Sequence, residues 1–155
     1  MANATDEEAD PPWATGEDGP LALPISKLRG LTPQARLALK VRRVTTCGQL
    51  LRAAARAEDR TRLGREAGLA AERLLELVQR ADLARVNGVG TVFGMMLEDL
   101  AVRDVADLAG QEPADLHGRL RRYNQEERIA RRSPTPEEVA EWVQQAQTLP
   151  VLVTY

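Results

Sequence analysis

The chain has 155 residues, a formal net charge of −2, 43 % apolar residues and only 3 % aromatic ones. That length suits one compact domain or two very small ones, with Leu, Ala and Val filling an interior that favours packed helices over a β-sandwich. A single cysteine, Cys47, excludes an intramolecular disulfide framework, and the acidic N-terminus with no apolar run excludes a signal peptide and a membrane span. These features predict a soluble protein of the reducing cytoplasm.

In chain order, residues 1–23 read as a disordered acidic tail. Asp6, Glu7, Glu8, Asp10, Glu17 and Asp18 lie there with no Lys or Arg, among Pro11, Pro12, Gly16, Gly19 and Pro20. Without those six acids the chain carries 21 basic and 17 acidic side chains, a balance of +4. Trp13 reads either as a solvent-exposed tail residue or as an anchor for a partner or for the protein's own body.

From Pro24 onward the pattern is helical, and it repeats. "LRGLTPQARLALKVRRVTTCGQLL" (28–51) overlays "VNGVGTVFGMMLEDLAVRDVADLA" (86–109) without a gap. Gly30 falls on Gly88, Leu31 on Val89, Leu39 on Leu97, Val44 on Val102 and Leu50 on Leu108. Thr46 falls on Asp104, and both residue types cap helix N-termini well. A first unit over 24–83 and a second over 84–150 follow, each read as short helix, tight hairpin, helix, turn, helix.

Within the first unit, Asp59–Ala67 precedes Gly68 as a C-cap, and Leu74, Leu77, Val78 and Ala81 share one helical face. After the second hairpin comes the Arg-rich "LHGRLRRYNQEERIARR", in which Tyr123 and Asn124 are expected to close a turn. "SPTP" breaks the chain. Thr135 and Glu138 then form a capping box with Pro136 at the first helical position, and Val139, Trp142, Val143 and Ala146 form a buried stripe. Residues 151–155 are a C-terminal extension of extended character.

The fold class is therefore all-α, with two units in tandem sharing one core. Leu28, Leu31, Leu37, Val44, Leu50, Leu74, Val86, Val89, Phe93, Met96, Leu97, Val102, Leu108, Val139 and Trp142 are expected to line it.

At Gly30–Pro33 and Gly88–Gly90 the chain resembles a helix-hairpin-helix motif, whose centre is glycine–apolar–glycine. With "ADLARVNGVG", "DLHGRL" and "YNQEERIARRSPTPEEVAEWVQQAQTLP", residues 25–150 resemble an uncharacterised bacterial family of tandem helix-hairpin-helix proteins, a domain-of-unknown-function family. The resemblance implies the fold, and implies function only by analogy: sequence-independent contact with DNA or RNA backbone.

The physics of such a contact is simple. Glycines without Cβ let backbone N–H groups approach a phosphate, and the helix that follows aims its free N–H groups at the same point. The candidate residues are Gly88, Val89, Gly90 and Gly30 in the hairpins, with Val89 anchoring the loop. Lys27, Arg29, Arg36, Lys40, Arg42 and Arg43 add charge in a stretch with no acid between 25 and 43, and Arg121, Arg128 and Arg132 are expected on one face of a later helix.

The two hairpins depart from the pattern in opposite ways. The second has both glycines but is followed by Glu98 and Asp99. The first is basic but has Thr32, an N-cap before Pro33, where a second glycine would stand. The alternative is a protein–protein adaptor with purely structural hairpins. His117 and Cys47 are each single, so no metal set has usable spacing, and no nucleophile–base pair or phosphate-binding loop is present. No catalysis, cofactor, membrane or small-molecule substrate is expected.

Overall fold

The computed structural model describes residues 20–155. The acidic segment 1–19, with Trp13, lies outside the described residues. Among the described residues the chain is all-helical, with an isolated antiparallel bridge between Pro24 and Thr46.

Eight α-helices follow two 3-10 turns at Pro20–Ala22 and Ile25–Lys27: α1 (Pro33–Val41), α2 (Cys47–Ala54), α3 (Ala57–Ala67), α4 (Ala71–Leu83), α5 (Gly90–Asp99), α6 (Val105–Ala109), α7 (Pro113–Glu127) and α8 (Pro136–Thr148). Local chemistry explains most of their ends. Thr32 caps α1 by accepting from the Ala35 N–H, with Pro33 at the first position. Thr46 with Gln49 and Thr135 with Glu138 form full capping boxes on α2 and α8. Asp104 caps α6 through the Asp107 N–H, and left-handed Gly68 closes α3.

Backbone geometry recurs at a spacing of 58. Gly30 and Gly88 have φ of +81° and +91°, and Arg43 and Ala101 have φ of +61° and +67°. After α1, the N–H groups of Arg42, Arg43 and Val44 donate to Leu39, Lys40 and Leu39. After α5, those of Leu100, Ala101 and Val102 donate to Leu97, Glu98 and Leu97.

In place of the single core expected, buried apolar residues form two clusters. The first gathers Leu21, Ile25, Leu28, Leu39, Val44, Cys47, Leu50 and the α4 residues Leu74, Leu77, Val78 and Ala81, and the second runs from Leu83 through Val89, Met96, Leu97 and Leu120 to Trp142 and Ala146. Helix α4 thus serves both. Leu37 differs from expectation: it points outward and is 62 % exposed, while Leu31 and Phe93 are half-buried. On a nine-residue helix only the Ala35–Leu39 edge meets the body, so a leucine two positions from either is turned away.

Two boundaries also shift. Leu21–Leu23 belong to the body rather than to the tail, since Leu21 is buried and the Cys47 N–H donates to the Leu23 carbonyl. The last residues fold back on the first cluster: Val153 is buried there, and Thr154 exchanges hydrogen bonds with the α2–α3 junction through the Ala55 carbonyl and the Ala57 N–H. Buried Arg60 donates to the carbonyls of Ala54, Ala55 and Thr154, and Tyr155 reaches Gln79 and Asp104 through its hydroxyl.

Between the clusters lies a buried ion pair. Asp82 accepts from Arg85 at 2.8 Å and, with its other oxygen, from the Val105 N–H at 2.9 Å. Arg85 also donates to the Pro150 carbonyl. One pair thereby joins the end of α4, the start of α6 and the exit from α8.

Candidate functional site

The second hairpin is fastened from below. Asn87 exchanges two hydrogen bonds with the Gln145 side chain of α8, and Val89 is buried in the second cluster. A Cβ on Gly88 would lie 3.2 Å from Trp142 Nε1, so a side chain there would be strained by the positive φ and would press on the indole. Gly90 is exposed, with φ +65° and open space around it. Helix α5 starts at this residue, and its N-cap Val89 supplies no side-chain hydrogen bond. The first backbone N–H groups of α5 therefore lack the side-chain acceptor that Thr32 gives α1.

A cleft runs from this helix end to the approach to α1. Lys27, Arg29, Arg80, Gly90, Thr91 and Glu98 all border it. Arg29 contacts Glu98 at 3.2 Å and Asp99 at 2.8 Å, and Arg80 meets Glu98 at 2.7 Å while donating to the Arg29 carbonyl at 2.6 Å. The Tyr123 hydroxyl donates to the other Asp99 oxygen at 2.6 Å, and that bond pushes its own pKa up to about 12. The two acids that weigh against this hairpin in the sequence are thus engaged by arginines. Lys27 forms no ion pair among the described residues and borders the same cleft as Gly90 and Thr91.

The first hairpin is closed. A Cβ on Gly30 would come within 3.0 Å of Arg80 Nη1, which fills the space beside the turn. Arg36 and Lys40 are exposed on α1 and line a separate groove with Ser26, Leu31, Pro33 and Leu37. Arg42 donates to the carbonyls of Ala38 and Glu66, and Arg43 is exposed in a left-handed turn.

The second basic run does not form a helical face. Helix α7 ends at Glu127, so Arg121 lies on the helix while Arg128 is its left-handed C-cap and Arg132 lies beyond. The cause is Asn124, which sits within α7 rather than in a turn. Its buried side chain accepts from the Ala130 N–H and donates to Ser133, curling the chain after the helix. Tyr123 is likewise helical. Arg132 is held by Glu138 at 2.6 and 3.0 Å, with its guanidinium 5.5 Å from the centre of the Phe93 ring. Helix α1 packs on α3, and α7 on α5 and α8, so the helices that carry the two basic runs pack on different partners.

Arg80 pairs locally with Glu76, but its contacts with Glu98 and the Arg29 carbonyl, like that of Tyr123 with Asp99, join positions far apart in the chain. Cys47 is fully buried, and burial pushes its thiol up to about 12, which suits a packing residue. His117 is half-buried on α7. Among the described residues, no group of three or more His, Cys, Asp and Glu side chains could hold a metal ion, and no helix is long and apolar enough to cross a membrane.

A family model described as a domain of unknown function, DUF4332, matches residues 29–149. The chain belongs to the DUF4332 family. No curated protein and no solved structure matches it. The DUF4332 span includes both glycine turns, Arg29, Arg80, Glu98 and Asp99, but begins two positions after Lys27 and ends before the returning segment at Val153.

Proposed function

We propose that this DUF4332 chain is a non-enzymatic, cytoplasmic module of two tandem helix-hairpin-helix units that makes weak, sequence-independent contacts with nucleic-acid backbone. The observation that carries the reading is the exposed start of α5 at Gly90–Thr91, uncapped by a side chain and sharing a cleft with Lys27. Backbone N–H groups at a helix start favour a phosphate oxygen, and a nearby ammonium adds Coulomb attraction. The matched positive φ values and matched carbonyl partners at a spacing of 58 support the duplicated unit. Backbone N–H groups and a lysine carry no base readout, which fits sequence-independent binding.

A second reading, a protein–protein adaptor, is favoured by a different observation: Arg29, Arg42 and Arg132 spend their guanidinium groups on acceptors within the protein. Fluorescence anisotropy with short duplex and single-stranded DNA, across a salt series, separates the two. Nucleic-acid binding predicts an affinity that falls steeply with salt, by a log–log slope of roughly 0.9 per duplex phosphate contacted. Lys27→Glu should weaken binding at every salt concentration. Flat anisotropy at low salt would overturn the nucleic-acid reading and leave the adaptor.

A further inference from the structure

Helix α1 has an outer face that the fold leaves uncovered. Ala35 and Leu39 turn inward, while Leu37 and Val41, four positions apart, are 62 % and 70 % exposed. Arg36, Lys40 and Arg43 surround them, all exposed and none in an ion pair among the described residues. The stretch 25–43 contains no acid that could neutralise them. Leu31, Pro33, Arg36, Leu37 and Lys40 shape this face into a groove, and Pro24–Ser26 form the wall of an adjoining groove that also holds Arg36 and Lys40. Isolated exposed aliphatics are ordinary, but two aliphatics on one helical edge ringed by uncompensated cations suit a ligand with carboxylates and an apolar anchor.

We propose that the occupant of this groove is the chain's own N-terminal segment, residues 1–19. The segment has the complementary chemistry: six carboxylates, no Lys or Arg, and Trp13 between two acidic groups. It is also tethered at the right place. The described chain begins at the 3-10 turn Pro20–Ala22, two residues before Pro24 on the groove wall. Trp13 lies seven residues before Pro20, and a chain of that length spans at most about 25 Å, enough to reach along a nine-residue helix of roughly 14 Å. A short tether gives an effective concentration on the order of millimolar, so even weak charge pairing and one indole suffice. The α5 cleft plays no part in this contact, and the inference stands independently of nucleic-acid binding.

The test uses the full chain without nucleic acid. Acrylamide quenching of tryptophan emission is measured at low and high salt, with Trp13→Phe supplying the signal of Trp142, the other tryptophan, which is 1 % exposed. Docking predicts that Trp13 is quenched at least about threefold less at low salt than at high salt, because screening weakens exposed charge pairs. The variant Arg36→Glu/Lys40→Glu should abolish the protection. So should Asp6→Asn/Glu7→Gln/Glu8→Gln/Asp10→Asn, which alters only the segment and leaves the folded body untouched. Equal quenching at both salts would overturn the proposal. Protection that survives both variants, or that disappears on dilution because the segment reaches a second copy, would overturn it as well.

Discussion

Arg29 and Asp99, seventy positions apart, are joined by two hydrogen bonds of 2.8 and 2.9 Å from the guanidinium to one carboxylate oxygen. The bond ties the approach to α1 to the last residue of α5, across the boundary between the two apolar clusters. Both groups are partly exposed, so the coupling should be modest, about 1 kcal/mol or less. A double-mutant cycle of Arg29→Ala and Asp99→Asn, followed by urea unfolding, measures it. A coupling indistinguishable from zero would mean that the pair does not fasten the halves.

Gly88 and Gly90 both have positive φ but differ in their surroundings. Gly90→Ala should cost about 1 kcal/mol, the strain of a left-handed L-residue alone. Gly88→Ala should cost more, roughly 2 kcal/mol, because its Cβ would also press on Trp142 Nε1 at 3.2 Å. Thermal unfolding of the two variants ranks them, and equal costs would contradict the contact.

Asp82 holds a guanidinium that has no exposed side-chain surface, and accepts the Val105 N–H that opens α6. Asp82→Ala takes the carboxylate away from both, although Arg85 keeps its bond to the Pro150 carbonyl, and the expected loss is roughly 3–5 kcal/mol. Denaturant titration should find this among the most damaging single changes in the chain. A loss under about 1 kcal/mol would argue that Arg85 relaxes into solvent.

Arg132 lowers the Glu138 carboxyl from 4.5 to about 2, chiefly through its hydrogen bond, with the Thr135 N–H adding to the effect. A depressed folded-state pKa stabilises the fold above the unfolded value, and that contribution is lost as the pH falls from about 4.5 through about 2. Arg132→Ala should raise the Glu138 pKa, read by NMR titration, and move acid unfolding to higher pH. The capping bond from Thr135 should keep the new value below that of a free glutamate. An unchanged titration would show that the cap alone sets it.

Removal of residues 151–155 should cost at least about 3 kcal/mol, from one buried valine and the three hydrogen bonds of Thr154, with those of Tyr155 adding to it. Hydrogen exchange should show the loss first at the Ala57 amide, whose N–H donates to the Thr154 hydroxyl. Uniform loss across both clusters would point to a general rather than a local role.

Helix ends were legible in the sequence because their chemistry is local. Thr46, Thr135 with Glu138, Pro136 and Gly68 act within one turn, and the structure has each where its spacing implies. The stripe Val139, Trp142, Val143 and Ala146 is buried for the same reason. What escaped depends on contacts beyond one helical turn. Leu37 resembles any helical leucine, and only the body's placement leaves it outside. Arg29 reads as free charge until Asp99 arrives from seventy positions away, and Arg132 until the loop turns it back onto Glu138, six positions on. Asn124 lies within α7 and curls the chain beyond it through a side-chain bond with the Ala130 N–H that composition does not encode. At the second hairpin, the glycines were visible in the sequence, whereas the cleft they share with Lys27 required the fold.

The returning segment has a consequence for synthesis. Val153 and Thr154 finish a cluster whose other members are nearly all made before residue 82. As the chain emerges from a ribosome, the half translated first must wait for Val153 and Thr154 before its packing is complete. Nascent chains truncated shortly before Val153 should therefore expose the α2–α3 junction to proteases, although every helix of that half has already been made.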